Sequence, residues 1–271
     1  TPCGTLFPYT TLFRSAEPER GNADGPPAFS ALIPAPGGLE GPTGLRFRGR
    51  SLLERTIEKV HRVRGVLRVF VLGEDGVGLS AFGGETGAEP VAPSEPGSIP
   101  ARGVHGLGRH VPALLSGLRE DLRGEVTRGG LVVVNPLYPF LDPREIGRAL
   151  EFFARGLSGP RPWPSVCSFH ETPSHFHPRK LLVLEEGGGL THFQPGGEQV
   201  YQRQQLEGDP YYCLNDALLV VDPLGEVPEA PEGTTLGLVL ADPVVRIDDA
   251  RGLTLAEDVC GRDPQRVEGR I

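Results

Sequence analysis

The 271-residue chain has no methionine and a single tryptophan, and its four cysteines, Cys3, Cys167, Cys213 and Cys260, form no Cys-x-x-Cys pair. That spacing excludes a disulfide framework and the common zinc and dithiol motifs, and it points to a reducing compartment, the cytoplasm. Long apolar runs are missing too: no stretch approaches the roughly 20 residues of a membrane-spanning helix, and none has the basic start and apolar centre of a secretory signal. Positive charge is in deficit. The formal net charge is −8 and no basic stripe appears, which argues against nucleic acid as a partner. Methionine is missing even at position 1. Residues 1–15 (TPCGTLFPYTTLFRS) read as a translated sequencing adapter joined to the gene and are set aside from the fold, and residues 16–27, polar and rich in Gly and Pro, read as a disordered lead-in.

What is abundant is glycine and proline, 38 and 28 residues, which punctuate apolar segments rather than forming repeats. Phe29-Ser30-Ala31-Leu32-Ile33, ending at Pro34, reads as a buried first strand. A Gly/Pro-rich loop follows from Ala35 to Gly49. SLLERTIEKVHRV then places Leu53, Ile57 and Val60 on one helical stripe with Arg64 at its end, and Ser51 with Glu54 three residues on has the form of a capping box. VLRVFVLG, residues 66–73, is the next strand. This β–loop–α–β order is the building unit of a parallel sheet. A helix is expected over 107–123. The β-branched run Gly130-Leu131-Val132-Val133-Val134 has the character of a central strand covered on both faces. Asp142-Pro143-Arg144-Glu145 starts a helix whose buried stripe is Ile146, Ala149, Leu150 and Phe153. Further strands are expected at 164–170, 180–186, 211–221 and 235–241. A last helix, starting near Gly252, carries Leu253, Leu255 and Val259. The whole reads as one domain over 28–260 with a β-rich excursion at 170–210 and a tail at 261–271.

The stretch ALIPAPGGLEGPTGLRFRGRSLLERTI resembles the opening of the acylneuraminate cytidylyltransferases, in which a strand leads to IPAR-G-S-K, a Lys-Asn pair and a helix reading PLIERTI. Four further blocks resemble that family in the same order: VVVNPLYPFLDPREIGRALEFF its LLQPTSPLR segment, SVCSFHETPSHFHPRKLLVLEEGG its SVVSV segment and hairpin, RQQLEGDPYYCLNDALLVV its RQ…P…Y…NGAIYI block, and VVRIDDARGLTLAEDV its VDIDTEEDLxLAE ending. Together they span nearly all of 28–260. The resemblance implies a three-layer α/β/α nucleotidyltransferase fold with a Rossmann-like, mostly parallel sheet. It implies an enzyme that transfers CMP from CTP to an acidic, sialic-acid-like sugar with release of pyrophosphate, and it implies Mg²⁺ and a homodimer joined through the 170–210 excursion.

Carried over residue by residue, Ala35, Gly37 and Gly38 stand where the family's nucleotide loop cradles phosphate with backbone N–H groups. The family's Arg, Ser and Lys in that loop are Pro36, Leu39 and Glu40, and its Lys-Asn pair falls on Leu45 and Arg46. Arg46 and Arg48 are then the candidates to supply the missing catalytic positive charge. The metal-binding Asp-x-Asp reads Arg246-Ile247-Asp248, leaving Asp248 as the candidate metal ligand. On the sugar side, Asn135 replaces a Gln, Leu141 replaces an Arg, and Arg203, Gln204 and Asn215 match, with Asp216 in place of the Gly after the family's Asn.

Each of these has a plainer reading. The glycines fit an ordinary loop, Asp248 fits a brace for the last helix, and Arg203 and Asn215 fit satisfied partners at a sheet edge. Cys167, His170, His175 and His177 have zinc-ligand chemistry without the spacing of a known structural site, and read better as loop histidines or residues lining a dimer seam. Asp75, after the second strand, lies where open α/β sheets bind ligands, but also where a turn needs a polar residue. The replaced Arg, Lys and Asp positions keep a second function open: a non-catalytic relative that binds nucleotide, sugar or a protein partner. A transferase for another nucleotide or sugar is a third.

Overall fold

The structure is a computed structural model that describes residues 28–73, 83–91, 130–157, 165–173, 176–194, 211–222, 235–241 and 243–262. The expected helix over 107–123 and Asp75, His175, Arg203 and Gln204 lie outside the described residues.

Among the described residues the main elements in chain order are β1 (Phe29–Ala35), β2 (Arg46–Phe47), β3 (Arg50–Ser51), α1 (Leu52–His61), β4 (Val66–Gly73), β5 (Glu89–Val91), β6 (Gly130–Val134), α2 (Pro143–Leu157), β7 (Ser165–Glu171), β8 (Leu182–Leu184), β9 (Leu190–His192), β10 (Tyr212–Val221), β11 (Thr235–Val239) and α3 (Ala250–Arg262). Seven of the strands form one sheet in the order β11-β7-β10-β6-β1-β4-β5. β10 runs antiparallel to both its neighbours, and every other pair in the sheet is parallel. β2 with β3 and β8 with β9 are separate two-stranded hairpins.

The period-2 alternation of the central strands accounts for both faces. Phe29, Ala31 and Ile33 of β1, Val69 and Val71 of β4, Val132 and Val134 of β6, and Leu218 and Val220 of β10 join one core with α1, α2 and α3. The alternate residues Leu32, Phe70, Leu131, Val133, Leu219 and Val221 are also buried. A sheet buried on both sides of its central strands is what a three-layer α/β fold requires, and it explains why β6 is an unbroken apolar run.

The local signals hold closely. The Ser51 hydroxyl accepts from Glu54 N while the Glu54 carboxylate accepts from Ser51 N, so the capping box forms. The Asp142 carboxylate accepts from Arg144 N at 2.7 Å ahead of Pro143, and α2 buries the expected Ile146, Ala149, Leu150 and Phe153. Three expectations shift. α1 ends at His61, so Arg64 lies in the turn to β4 rather than on the helix. β8 covers only the middle of the expected strand at 180–186 and pairs with β9. α3 starts earlier, capped by Asp249, whose carboxylate accepts from Arg251 N and Gly252 N, and it runs on to Arg262. With that register Ala256 and Cys260 face the core, Leu253 and Val259 pack against it, and Leu255 is exposed.

Candidate functional site

Because β1, β4 and β6 are parallel neighbours, the loops after β1 and β6 leave the same edge of the sheet, the carboxyl edge at which open α/β folds take ligands. The loop after β1 is built from two consecutive 3₁₀ turns, Gly38–Glu40 and Pro42–Gly44. Gly37 and Gly38 have φ of 72° and 59°, in the left-handed region that side chains other than glycine seldom adopt. Gly44 has a different reason: a Cβ there would lie 1.8 Å from the Leu39 carbonyl oxygen. The buried Thr43 hydroxyl donates to Gly38 O at 3.0 Å and ties the two turns together. Ala35 thus ends β1, and Gly37 and Gly38 sit in the tight turn that follows it at the sheet's edge.

Arg46 and Arg48 lie beyond that turn on the β2–β3 hairpin. Arg48 (φ 50°) and Gly49 (φ 80°) form its two-residue tip, a left-handed pair of the type that matches strand twist. Both arginine side chains are exposed, and Arg46 folds back to donate to Gly49 O at 3.2 Å. Arg55, from α1, holds the hairpin instead. It donates to Phe47 O at 2.9 Å and Arg48 O at 3.3 Å, with its guanidinium 5.2 Å from the Phe47 ring centroid. Sequence reasoning passed over Arg55 because it stands within the helix pattern of α1.

At the other side of the edge, β10 departs from its register with β7 between the pairs Leu214↔Phe169 and Leu219↔Cys167. A bulge of this kind re-aims side chains, and it carries Asn215 and Asp216. Ser168 fills it, donating to Asn215 Oδ1 at 2.5 Å and accepting from Leu218 N at 3.0 Å. Asn215 Oδ1 also accepts from Ala217 N, and its Nδ2 lies 3.4 Å from His170 Nδ1. Asn135, at the end of β6, donates its backbone N–H to Ala217 O at 3.0 Å. Its side chain is fully buried. Oδ1 accepts from Leu137 N, whereas Nδ2 has no hydrogen-bond partner. Asn135 and Asn215 are therefore brought together across Ala217.

Next to them runs a chain of charges. Tyr138 donates to Asp216 Oδ1 at 2.5 Å, Asp216 Oδ2 is 3.6 Å from Arg246 Nη1, and Arg246 Nε is 3.4 Å from Asp248 Oδ2. The side chains of Asp216 and Arg246 are 10% and 16% exposed, so this is a largely buried pair, whereas Asp248 is 47% exposed. Burial, reinforced by the adjacent Asp216 charge, pushes the Tyr138 hydroxyl well above its usual range and keeps it a donor. The backbone joins in: Ile247 N donates to Leu137 O at 2.8 Å, locking the strand-like segment before α3 to the loop after β6. Lys59 of α1 anchors the same loop from below through a hydrogen bond to Pro139 O. Burial lowers its ammonium to about 8.

The carboxylate donors suit a hard cation, but their arrangement does not suit Mg²⁺. Mg²⁺ demands an octahedron of oxygens at about 2.0–2.1 Å. Asp248 has the Arg246 guanidinium against it instead, and among the described residues no three His, Cys, Asp or Glu side chains gather as a metal site. Cys167, His170 and His177 likewise do not gather as a metal site among the described residues. Burial alone holds the Cys167 thiol up at about 12, and His177 is buried with its Nδ1 accepting from Arg179 N.

No family model matches the chain, and no curated protein matches it. Solved structures do. CMP:2-keto-3-deoxy-manno-octonic acid synthetase complexed with CTP superposes with a TM-score of 0.55 at 12% identity, over 87% of this chain and 100% of the other. The 4-diphosphocytidyl-2C-methyl-D-erythritol synthase of Anaerococcus prevotii gives 0.54 at 12% identity, over 88% and 100%. A second structure of a 4-diphosphocytidyl-2C-methyl-D-erythritol synthase gives 0.52 at 11% identity, over 86% and 99%. The described residues therefore have a three-layer α/β fold like that of these synthetases.

Proposed function

We propose that the chain is a nucleotidyltransferase of the cytidylyltransferase type, which binds CTP and transfers CMP to an acidic sugar with release of pyrophosphate. The observation that carries this reading is the glycine turn after β1. Gly37 and Gly38 hold left-handed backbone at the carboxyl edge of a parallel sheet, where successive N–H groups can cradle phosphate. The likeness of the fold to a synthetase solved with CTP supports it. In the reaction, the sugar hydroxyl oxygen bonds to the α-phosphorus as the bond to pyrophosphate breaks and the hydroxyl proton leaves to solvent. Positioning and charge stabilisation supply most of the rate. In this reading Ala35, Gly37 and Gly38 hold the phosphates, Arg46 and Arg48 are the candidates for the positive charge, and Asn135, Asn215, Arg203 and Gln204 are the candidates for contact with the sugar. The exposed apolar hairpin β8–β9 is the surface proposed for pairing of two copies.

Arg246 favours a second reading. A cation stands where the resembling family has a metal-binding Asp, so a non-catalytic relative that retains nucleotide or sugar binding is the alternative. Calorimetric titration of the full chain with CTP, followed by a pyrophosphate-release assay with a panel of 3-deoxy-2-keto sugar acids, separates the two. Binding with release supports the transferase. Binding without release across the panel selects the non-catalytic relative, and no binding at millimolar CTP overturns both nucleotide readings.

A further inference from the structure

We infer that the Arg246 guanidinium is a built-in cation that takes the place of a divalent metal at this edge of the sheet, so that ligand binding here does not depend on one. The inference rests on the nucleotide reading for what the edge binds, but its main test needs no nucleotide.

Asp216 comes from the β10 bulge and Asp248 from the segment before α3, two carboxylates from different elements converging on one position. Left alone, the largely buried Asp216 carboxylate with the half-exposed Asp248 beside it would either take up a proton or recruit a cation. Arg246 answers that demand from within the chain, with Nε toward Asp248 and Nη1 toward Asp216. Tyr138 completes the first carboxylate by donating to its other oxygen. A guanidinium is planar and permanently charged, and here it holds the two carboxylates at ion-pair distances of 3.6 and 3.4 Å, so it needs none of the dehydration or octahedral geometry that Mg²⁺ imposes.

Two replacements that look independent along the chain are one change in space. In the resembling family's blocks the positions of Arg246 and Asp216 carry Asp and Gly. Here the cation gained at Arg246 has a carboxylate gained at Asp216 as its partner. A decayed site would have no reason to install the second charge with the first. The pairing points to a site rebuilt around an internal cation.

The test is Mn²⁺ binding to the full chain, followed by electron paramagnetic resonance and calorimetry, without nucleotide. Wild type is expected to bind no Mn²⁺ below millimolar concentration. Arg246→Ala, which frees both carboxylates, is expected to bind Mn²⁺ at least tenfold more tightly than wild type, and Arg246→Ala with Asp216→Asn is expected to lose that gain. Micromolar Mn²⁺ binding by wild type, or a folded Arg246→Ala chain with no gain, would overturn the inference. Should Arg246→Ala fail to fold, as judged by circular dichroism, the wild-type titration and Arg246→Gln decide it by the same criteria. CTP titration in EDTA and in Mg²⁺ provides the second readout: equal affinity supports the internal cation, and loss of binding in EDTA overturns it. Absence of CTP binding in both buffers counts against the nucleotide reading alone, because the Mn²⁺ result stands by itself.

Discussion

Arg246 and Asp216 show what a single side chain does when its partner arrives from a distant part of the chain. Each is a departure from a familiar pattern when met along the sequence, and neither alone signals the other. Their pairing became legible only through the β10 bulge that turns Asp216 toward the segment before α3. Removing one member leaves a largely buried charge without compensation, an effect usually worth about 3–5 kcal/mol for a buried pair. Asp216→Ala is therefore expected to lower unfolding free energy by about 3 kcal/mol in urea titration, whereas Asp248→Ala, at the exposed end of the same chain of charges, is expected to cost about 1 kcal/mol or less. Lys59 sets a pH dependence of opposite character. Its folded-state value lies near 8, below the roughly 10.4 of an unfolded lysine, so above pH 8 the unfolded chain holds the extra proton. Stability from this group accordingly rises with pH from about 8 to 10.5. Relative to Lys59→Met, wild type should gain on the order of 2 kcal/mol across that window, read from paired denaturation curves.

At the scale of elements, legibility followed periodicity. β1, α1, β4, β6 and α2 carried clean alternation or a capped 3.6-residue stripe, and the structure forms them close to the expected bounds. α3 gave the weaker pattern. Leu255 resembled a core residue by composition, but starting the helix at Ala250 turns it to solvent and puts Ala256 and Cys260 inside. The loop after β1 was legible as glycine-rich but not as two linked 3₁₀ turns, because the contact between Gly44 and the Leu39 carbonyl depends on three-dimensional closure. That closure yields a sharp expectation. A methyl at position 44 would sit 1.8 Å from Leu39 O, so Gly44→Ala must open the turn. Overpacking of this kind costs about 1–3 kcal/mol, and CTP affinity should fall at least tenfold. Gly147→Ala is the control. It lies within α2 with open space around a Cβ, and it should leave affinity unchanged while adding about 0.5–1 kcal/mol of stability.

At the scale of the whole molecule, the sheet explains why the candidate site could be located before its chemistry: parallel strands send their loops to one edge whatever those loops contain. The excursion is the reverse case, since the sequence marked a hairpin there without showing how much apolar surface it leaves uncovered. No described helix is long and apolar enough to cross a membrane. Leu182, Leu184 and Leu190 share one face of the β8–β9 hairpin, by its register, with Phe193 following directly, and all four are exposed. A contiguous apolar face of this kind marks an interaction site more often than bare surface. Pairing of two copies would bury the same residues twice by symmetry, the commonest economy in oligomers. Introducing Asp at Leu184 and Leu190 places two like charges at the centre of such an interface. Sedimentation velocity is then expected to show a dimer for wild type and a monomer for the double variant, with the melting temperature of the sheet domain nearly unchanged because neither side chain touches its core. A wild-type monomer at tens of micromolar would remove the homodimer proposal, and a variant that stays dimeric would move the interface elsewhere on the molecule.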